Sequence, residues 1–314
     1  MALDEATAAF LTQLAATGAK PLHEMSPVEA RGLGAMLREL YGPGPEVAEV
    51  RDERIPVAGG ATIAARVLIP AGAPRGAIVY LHGGGWVIGA IDEFDAFGRR
   101  LAQRTGAAVV LVDYRLAPEH RFPTAVEDSV AAVRWVDDHL EAIAGRRVPL
   151  VVAGDSAGGN LTAVVALRAR TAGPRIAAQV LVYPVTDAVL ETACYRDPAN
   201  QLLLTRDAMV WFWDHYAPDP AVRAHPDASP LRAEDLSGLP PAIAVFAEHD
   251  VLRAEGEAYV ERLRAAGVAV AQRCFSGQMH AFFTLINLPA SGDALDYVAA
   301  ELEPHFASPP PPRS

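Results

Sequence analysis

VPLVVAGDSAGGNLTAVVALRAR, residues 148–170, passes from an apolar run straight into a helical pattern through Gly154-Asp155-Ser156-Ala157-Gly158-Gly159. Glycine loses more backbone freedom on folding than any other residue, so glycines crowded around one serine need a steric reason. A short Val/Leu run that ends in such a corner reads as buried strand, sharp turn and helix. A turn this sharp strains the serine backbone and lifts its hydroxyl clear of the sheet. Glycines two residues to either side let strand and helix approach. The following helix directs its free N–H groups and positive dipole end at the same place. The bland alternative is a glycine-rich helix start with an idle serine.

The same alternation recurs along the chain. Strands are expected at 76–82, 107–114, 149–154, 177–184, 241–248 and 268–275, with helices at 93–105, 124–140, 157–171 and 252–266. Near-continuous Val/Ile/Leu/Ala runs suit strands covered on both faces, so the fold class is α/β, with a mostly parallel central sheet and helices on both faces. Residues 47–70 read as a leading antiparallel pair.

Two segments break the rhythm. Residues 1–45 read as helices, with Ser26-Pro27-Val28-Glu29 as a capping box. Residues 185–235 begin as loop and then give a helix capped by Thr205 and carrying Met209, Trp211, Phe212, Trp213 and Tyr216. A helix apolar on more than one face must lie against something. The expectation is a helical cap built from 1–45 and 185–235, over a core of 46–184 and 236–307, with a disordered polyproline tail at 308–314.

The 314 residues are 51% apolar, enough for one large core, and a formal charge of −11 argues against a nucleic-acid partner. Cys194 and Cys274 lack metal or redox spacing, and no helical His-x-x-x-His is present, so no metal is expected. An acidic amino terminus and the lack of a membrane-length apolar run point to a cytoplasmic protein without a membrane partner.

A serine hydroxyl is a weak nucleophile until a base takes its proton. Of nine histidines, His280 stands just beyond the last expected strand, in Phe275-Ser276-Gly277-Gln278-Met279-His280. His249 reads equally well as part of a solvated loop, and His120 as structural. The imidazole needs a carboxylate to orient it, and Asp250 follows the strand at 241–248 directly. Asp155 and Glu248 are weaker alternatives. The catalytic candidates are therefore Ser156, Asp250 and His280, in that chain order. An oxyanion needs preorganised donors, and His82-Gly83-Gly84-Gly85-Trp86 follows a buried strand with bare amides. Gly83 and Gly84 are the first choice, with Gly85 close behind and Ala157 as their partner. No lysine follows these glycines, which removes a phosphate loop. Trp86, Asp155, Phe212 and Trp213 are pocket candidates, the aromatic ones serving equally well as core.

These residues carry a resemblance. HGGGW (82–86), DYRLAPEHRFPTAVED (113–128), GDSAGGN (154–160), HPDASPL (225–231) and HDVLRAEG (249–256) look like landmarks of the bacterial carboxylesterases of the hormone-sensitive lipase family, within the α/β-hydrolase fold. The resemblance runs from about residue 20 to about residue 305. It implies the same triad, the same oxyanion donors, a cap over the site, and hydrolysis of short- to medium-chain acyl esters without a cofactor. It also implies a small-molecule ester as partner and admits a homodimer through the last strand and its neighbouring helix. The chain departs from the pattern at Ala281, where glycine is usual, and at His249, where an aromatic is usual. An amidase or arylamide deacetylase would use the same residues. A non-catalytic small-molecule binding protein of this fold would lack the histidine that His280 supplies.

Overall fold

Strands buried on both faces cannot alternate apolar with polar, and the central strands here do not. The computed structural model describes residues 2–307; the expected tail at 308–314 lies outside the described residues. The strands are β1 (Glu49–Pro56), β2 (Thr62–Ile69), β3 (Ala77–Leu81), β4 (Ala108–Asp113), β5 (Leu150–Asp155), β6 (Ile176–Val182), β7 (Ala242–His249) and β8 (Val270–Met279). The α-helices are α1 (Glu5–Ala16), α2 (Pro27–Tyr41), α3 (Ile91–Thr105), α4 (Thr124–Asp138), α5 (Leu140–Ala144), α6 (Ala157–Ala172), α7 (Ala193–Arg196), α8 (Arg206–Tyr216), α9 (Pro220–Arg223), α10 (Arg253–Ala265) and α11 (Pro289–Ala307). One eight-stranded sheet has the order β1-β2-β4-β3-β5-β6-β7-β8. β2 is antiparallel to both neighbours, and the later pairs are parallel.

Alternate side chains of each central strand feed opposite faces. Val79, Val110 and Val152 pack with Val133 of α4 and Leu161 of α6. Ile78, Val109 and Val151 pack with Leu101 of α3 and Val298 of α11. The sheet is thus covered on both sides, and the C-terminal ends of β3, β5, β7 and β8 open on one edge.

The two irregular segments carry the local signals read from them. Ser26 and Glu29 form the reciprocal capping box, and the Thr205 hydroxyl accepts from Ala208 N at 3.1 Å. Trp211 Nε1 donates to Met25 O at 3.2 Å, joining the start of α2 to α8. Arg31 of α2 donates to Val87 O and to Ala117 O, each at 2.8 Å, and pairs with Glu119 at 2.7 Å. α1 lies elsewhere: Phe10 and Leu11 pack in the cluster of Met279 and Phe282, at the end of β8. The two cysteines are free, Cys194 buried and Cys274 exposed. No helix among the described residues is long and apolar enough to cross a membrane.

Candidate active site

The corner after β5 has the shape its glycines require. Ser156 has φ +54° and ψ −116°, a region that side-chain-bearing residues avoid. A Cβ on Gly154 would lie 2.3 Å from Gly158 O, and one on Gly158 would lie 1.8 Å from Leu81 O. Strand β5, helix α6 and the end of β3 meet so closely that only hydrogen fits at either position. Asn160, one turn into α6, is wholly buried and donates to both Val185 O and Ala228 O at 2.9 Å. It ties the elbow to both ends of the segment that carries α7, α8 and α9.

Three distant side chains meet above this corner. His280 Nε2 lies 3.1 Å from Ser156 Oγ, and His280 Nδ1 lies 2.7 Å from Asp250 Oδ2. Asp250 Oδ1 accepts from Leu252 N at 2.9 Å, which turns the carboxylate toward the ring. Asp250 is 1% exposed, and Ser156 and His280 are each 7% exposed. A proton can pass from hydroxyl to imidazole while the carboxylate holds the ring and its developing charge. Glu248 is not in this line: its Oε2 accepts from Gly277 N at 2.8 Å. His249 is the last residue of β7 and is buried, which corrects the reading of a solvated loop.

The glycine loop changes one expectation. Gly83 N donates to Asp155 Oδ1 at 2.9 Å, so its amide is already engaged. Among the described residues the amides of Gly84, Gly85 and Ala157 make no backbone hydrogen bond, so the Asp155 contact argues against Gly83 and leaves these three as the candidate donors. Asp155 Oδ1 also accepts from Tyr80 Oη at 2.8 Å. Asp155 therefore lies behind the loop as its anchor and does not line a pocket. Burial, opposed by the Tyr80 and Gly83 hydrogen bonds, raises its pKa to about 6.

His82 cannot serve as a base. Its ring is buried between Tyr114 and Phe94, at centroid distances of 4.3 and 5.2 Å, and its Nδ1 lies 2.7 Å from Gly83 O. Burial also lowers its pKa. Trp86 and Trp213 have no exposed surface. Trp86 stacks on Tyr216 at 4.1 Å and meets Trp213 at 4.8 Å, so these rings fasten α8 to the glycine loop and do not line a pocket. Phe212 packs directly on Gly85, where a Cβ would lie 2.1 Å from its ring.

Backbone strain marks the same place independently. Among the described residues, the non-glycine positions with positive φ are Trp86 (+60°), Ser156 (+54°), Tyr183 (+32°) and Ala281 (+70°). Ala281 follows His280, and the Tyr183 ring lies 4.6 Å from the His280 ring. Tyr183 escaped the sequence reading, since a tyrosine inside the strand expected at 177–184 carries no local sign of strain, whereas β6 ends at Val182.

With this geometry in view, the likenesses to known proteins are informative. A protein family described as alpha/beta hydrolase fold matches residues 78–284. The chain is 42% identical over 257 residues to the carboxylic ester hydrolase LipN of Mycobacterium tuberculosis, covering 78% of this chain and 68% of that protein. It is 35% identical to an ethyl acetate hydrolase of Pseudomonas putida, over 98% of this chain and all of that one. The crystal structure of a thermostable esterase from Pseudomonas putida ECU1011 superposes with a TM-score of 0.90 at 40% identity, covering 98% of this chain and 99% of that chain.

Proposed function

The chain belongs to the bacterial carboxylesterases of the hormone-sensitive-lipase-like α/β-hydrolase type and is a carboxylic ester hydrolase; from that premise we propose that it works through a Ser156 acyl-enzyme on short- to medium-chain acyl esters. The observation that carries this reading is the continuous line Ser156–His280–Asp250, with separations of 3.1 and 2.7 Å. His280 takes the Ser156 proton as Oγ attacks the ester carbonyl carbon. The carbonyl oxygen becomes an oxyanion against the N–H groups of Gly84, Gly85 and Ala157. Each such donor contributes about 3–4 kcal/mol of barrier lowering. His280 then protonates the departing alkoxide as the C–O bond breaks. A water deprotonated by the same ring attacks the acyl-enzyme and releases the acid with Ser156 restored.

The substrate class is supported by how closed the site is, with Ser156 and His280 both largely covered. It is supported too by a relative named for ethyl acetate. In this reading the start of α2 and α8 form the cap, since they meet at Met25 and Trp211 and border the glycine loop at Val87 and Gly85. The partner is a small-molecule ester in the cytoplasm, and β8, as the open edge strand, is the surface a homodimer would use.

The test is a p-nitrophenyl ester panel from acetyl to laurate, run beside Ser156→Ala. The expected result is turnover that falls with longer chains and disappears in the variant. Undiminished turnover by a folded Ser156→Ala protein would end the reading.

A further inference from the structure

β8 does not run straight into His280. Its pairing with β7 passes from Ala247↔Phe275 to His249↔Met279, so Glu248 alone faces Ser276, Gly277 and Gln278. Such a bulge bends its strand and re-aims the residues that follow. Here the residue that follows the restored pair is His280.

A bulge also strips backbone groups of their ladder partners, and buried ones must be bonded elsewhere. Both groups of Gly277 are. Its N–H donates to Glu248 Oε2 at 2.8 Å, and its carbonyl accepts from Asp4 N at 3.2 Å. Gly277 has φ +71°, and a Cβ there would lie 2.8 Å from Asp4 N. The amino-terminal turn is therefore seated against the bulge with no room for a side chain between them.

Side chains repeat the connection. The Gln278 amide Nε2 donates to Asp4 Oδ2. The Thr7 hydroxyl lies 2.6 Å from Asp4 Oδ2 and 3.1 Å from Gln278 Oε1. Thr7 is wholly buried and Gln278 is 4% exposed. Asp4 meanwhile caps α1, its Oδ1 accepting from Ala6 N at 2.9 Å and Thr7 N at 3.1 Å. One cap thus fixes α1 and a bulge whose Gln278 lies 274 residues further along the chain. Glu248, on the other side of the bulge, stands two residues before Asp250.

We infer that the Asp4–Thr7 turn is a positioning element of the active site, acting through Gln278 and the β8 bulge to hold His280 in line between Ser156 and Asp250. The inference rests on the catalytic reading of that triad. It separates α1 from the cap: α1 serves the histidine, while the start of α2 serves the cover over the site.

The experiment exploits the polarity of the Asp4–Gln278 contact in the full-length protein. Gln278→Glu sets two carboxylates face to face. Adding Asp4→Asn restores one donor and one acceptor with their sides exchanged, and the amide oxygen of the new side chain keeps the helix cap. Because displacements of about 1 Å can cost about a hundredfold, kcat for p-nitrophenyl butyrate should fall about tenfold or more in Gln278→Glu. KM should stay within about twofold of wild type, as expected for a group that acts on the reacting geometry alone. The double variant should recover most of the lost kcat. If Gln278→Glu does not fold, Gln278→Leu, which removes the bonds without opposing charges, carries the same expectation for kcat and KM. Unchanged kcat with only a lowered melting temperature, a loss confined to KM, or an equal loss in single and double variants would each overturn the inference. Wild type and Ser156→Ala run alongside separate the two readings. Turnover surviving in Ser156→Ala refutes the catalytic reading, whereas a dead Ser156→Ala with no rescue refutes only the clamp.

Discussion

Asp155 offers a quantitative check on the site, because its burial has a thermodynamic consequence. Its pKa is raised to about 6, chiefly by burial, with the Tyr80 and Gly83 hydrogen bonds opposing. In the unfolded chain an aspartate titrates near about 4. Between these values the native state holds the proton and the unfolded chain does not. The native state therefore binds more protons, and this group's contribution to stability falls as pH rises from about 4 through about 6. A difference of about two in pKa is worth about 3 kcal/mol. Asp155→Asn removes the charge while its side-chain carbonyl can still accept from Gly83 N and Tyr80 Oη, which share one oxygen in the wild type. The variant's stability relative to wild type should therefore rise by about 2 kcal/mol between pH 4 and pH 7. Any fixed cost of the new amide adds the same offset at every pH. The buried Glu255 carboxyl, whose pKa is also raised by burial, is present in both proteins and cancels in the comparison. Urea unfolding followed by tryptophan fluorescence across that range measures the difference. A flat difference, or one that grows toward acid, would show that Asp155 is not a buried carboxylate forced to ionise, and the argument fails.

Asp250→Asn leaves the Leu252 contact available but holds the wrong tautomer of His280, so kcat should drop roughly ten-thousandfold with circular dichroism unchanged; a loss under tenfold would remove Asp250 from its role. Gly158→Ala puts a methyl 1.8 Å from Leu81 O, where only backbone can move. Both activity and stability should fall, the latter by about 2–3 kcal/mol in urea titration, and a wild-type melting curve would contradict the packing described. Ala281→Gly relieves a left-handed residue at φ +70°. Strain relief of about 1–2 kcal/mol less the entropy of a freer unfolded chain leaves a gain of about 0.5–1 kcal/mol, and a lowered urea midpoint would count against strain there.

What could be read from the sequence was what short-range sterics dictate. Gly154, Ser156 and Gly158 announce the elbow because the clash they avoid lies within one turn of chain. The strands announce themselves because burial on both faces removes polar residues from 77–81, 108–112 and 150–153. Asp250 and His280 were legible from their places after β7 and within the turn that ends β8. The loop register was not, because which glycine amide is free depends on where the Asp155 side chain goes, and that is settled by Tyr80 across the sheet. The β8 bulge was equally hidden: Ser276-Gly277-Gln278 reads as loop beyond the strand expected at 268–275, whereas β8 runs on to Met279 with Glu248 and Asp4 on either side of the bulge. α11 escaped because its first turns hold Pro289, Ser291 and Gly292 and its last turn holds Pro304. Its apolar face becomes plain only against β6, β7 and β8.

The strained residues join these observations. A non-glycine residue held in an unfavourable backbone region costs roughly 1–3 kcal/mol and persists only where its surroundings over-determine it. Each of the four here is fixed by backbone bonds. Ser156 donates to Val182 O and accepts from Asn160 N and Val185 N at 2.9, 3.0 and 3.2 Å. Tyr183 donates to Val245 O at 2.7 Å, and Trp86 O accepts from Ala117 N at 2.8 Å. Ala281 O accepts from Thr284 N at 3.1 Å and Leu285 N at 3.2 Å. Three of these four sets of bonds reach to a different element, so the strain is held by the sheet and its crossings and not by local turns. Only Ala281 is held within its own turn, and it adjoins His280. That is the member of the triad whose strand bulges immediately before it and whose support comes from the distant amino terminus. The histidine is thus the least locally determined part of the site, which is why its alignment should respond to Asp4 and Gln278 while Ser156, gripped from three directions, should not.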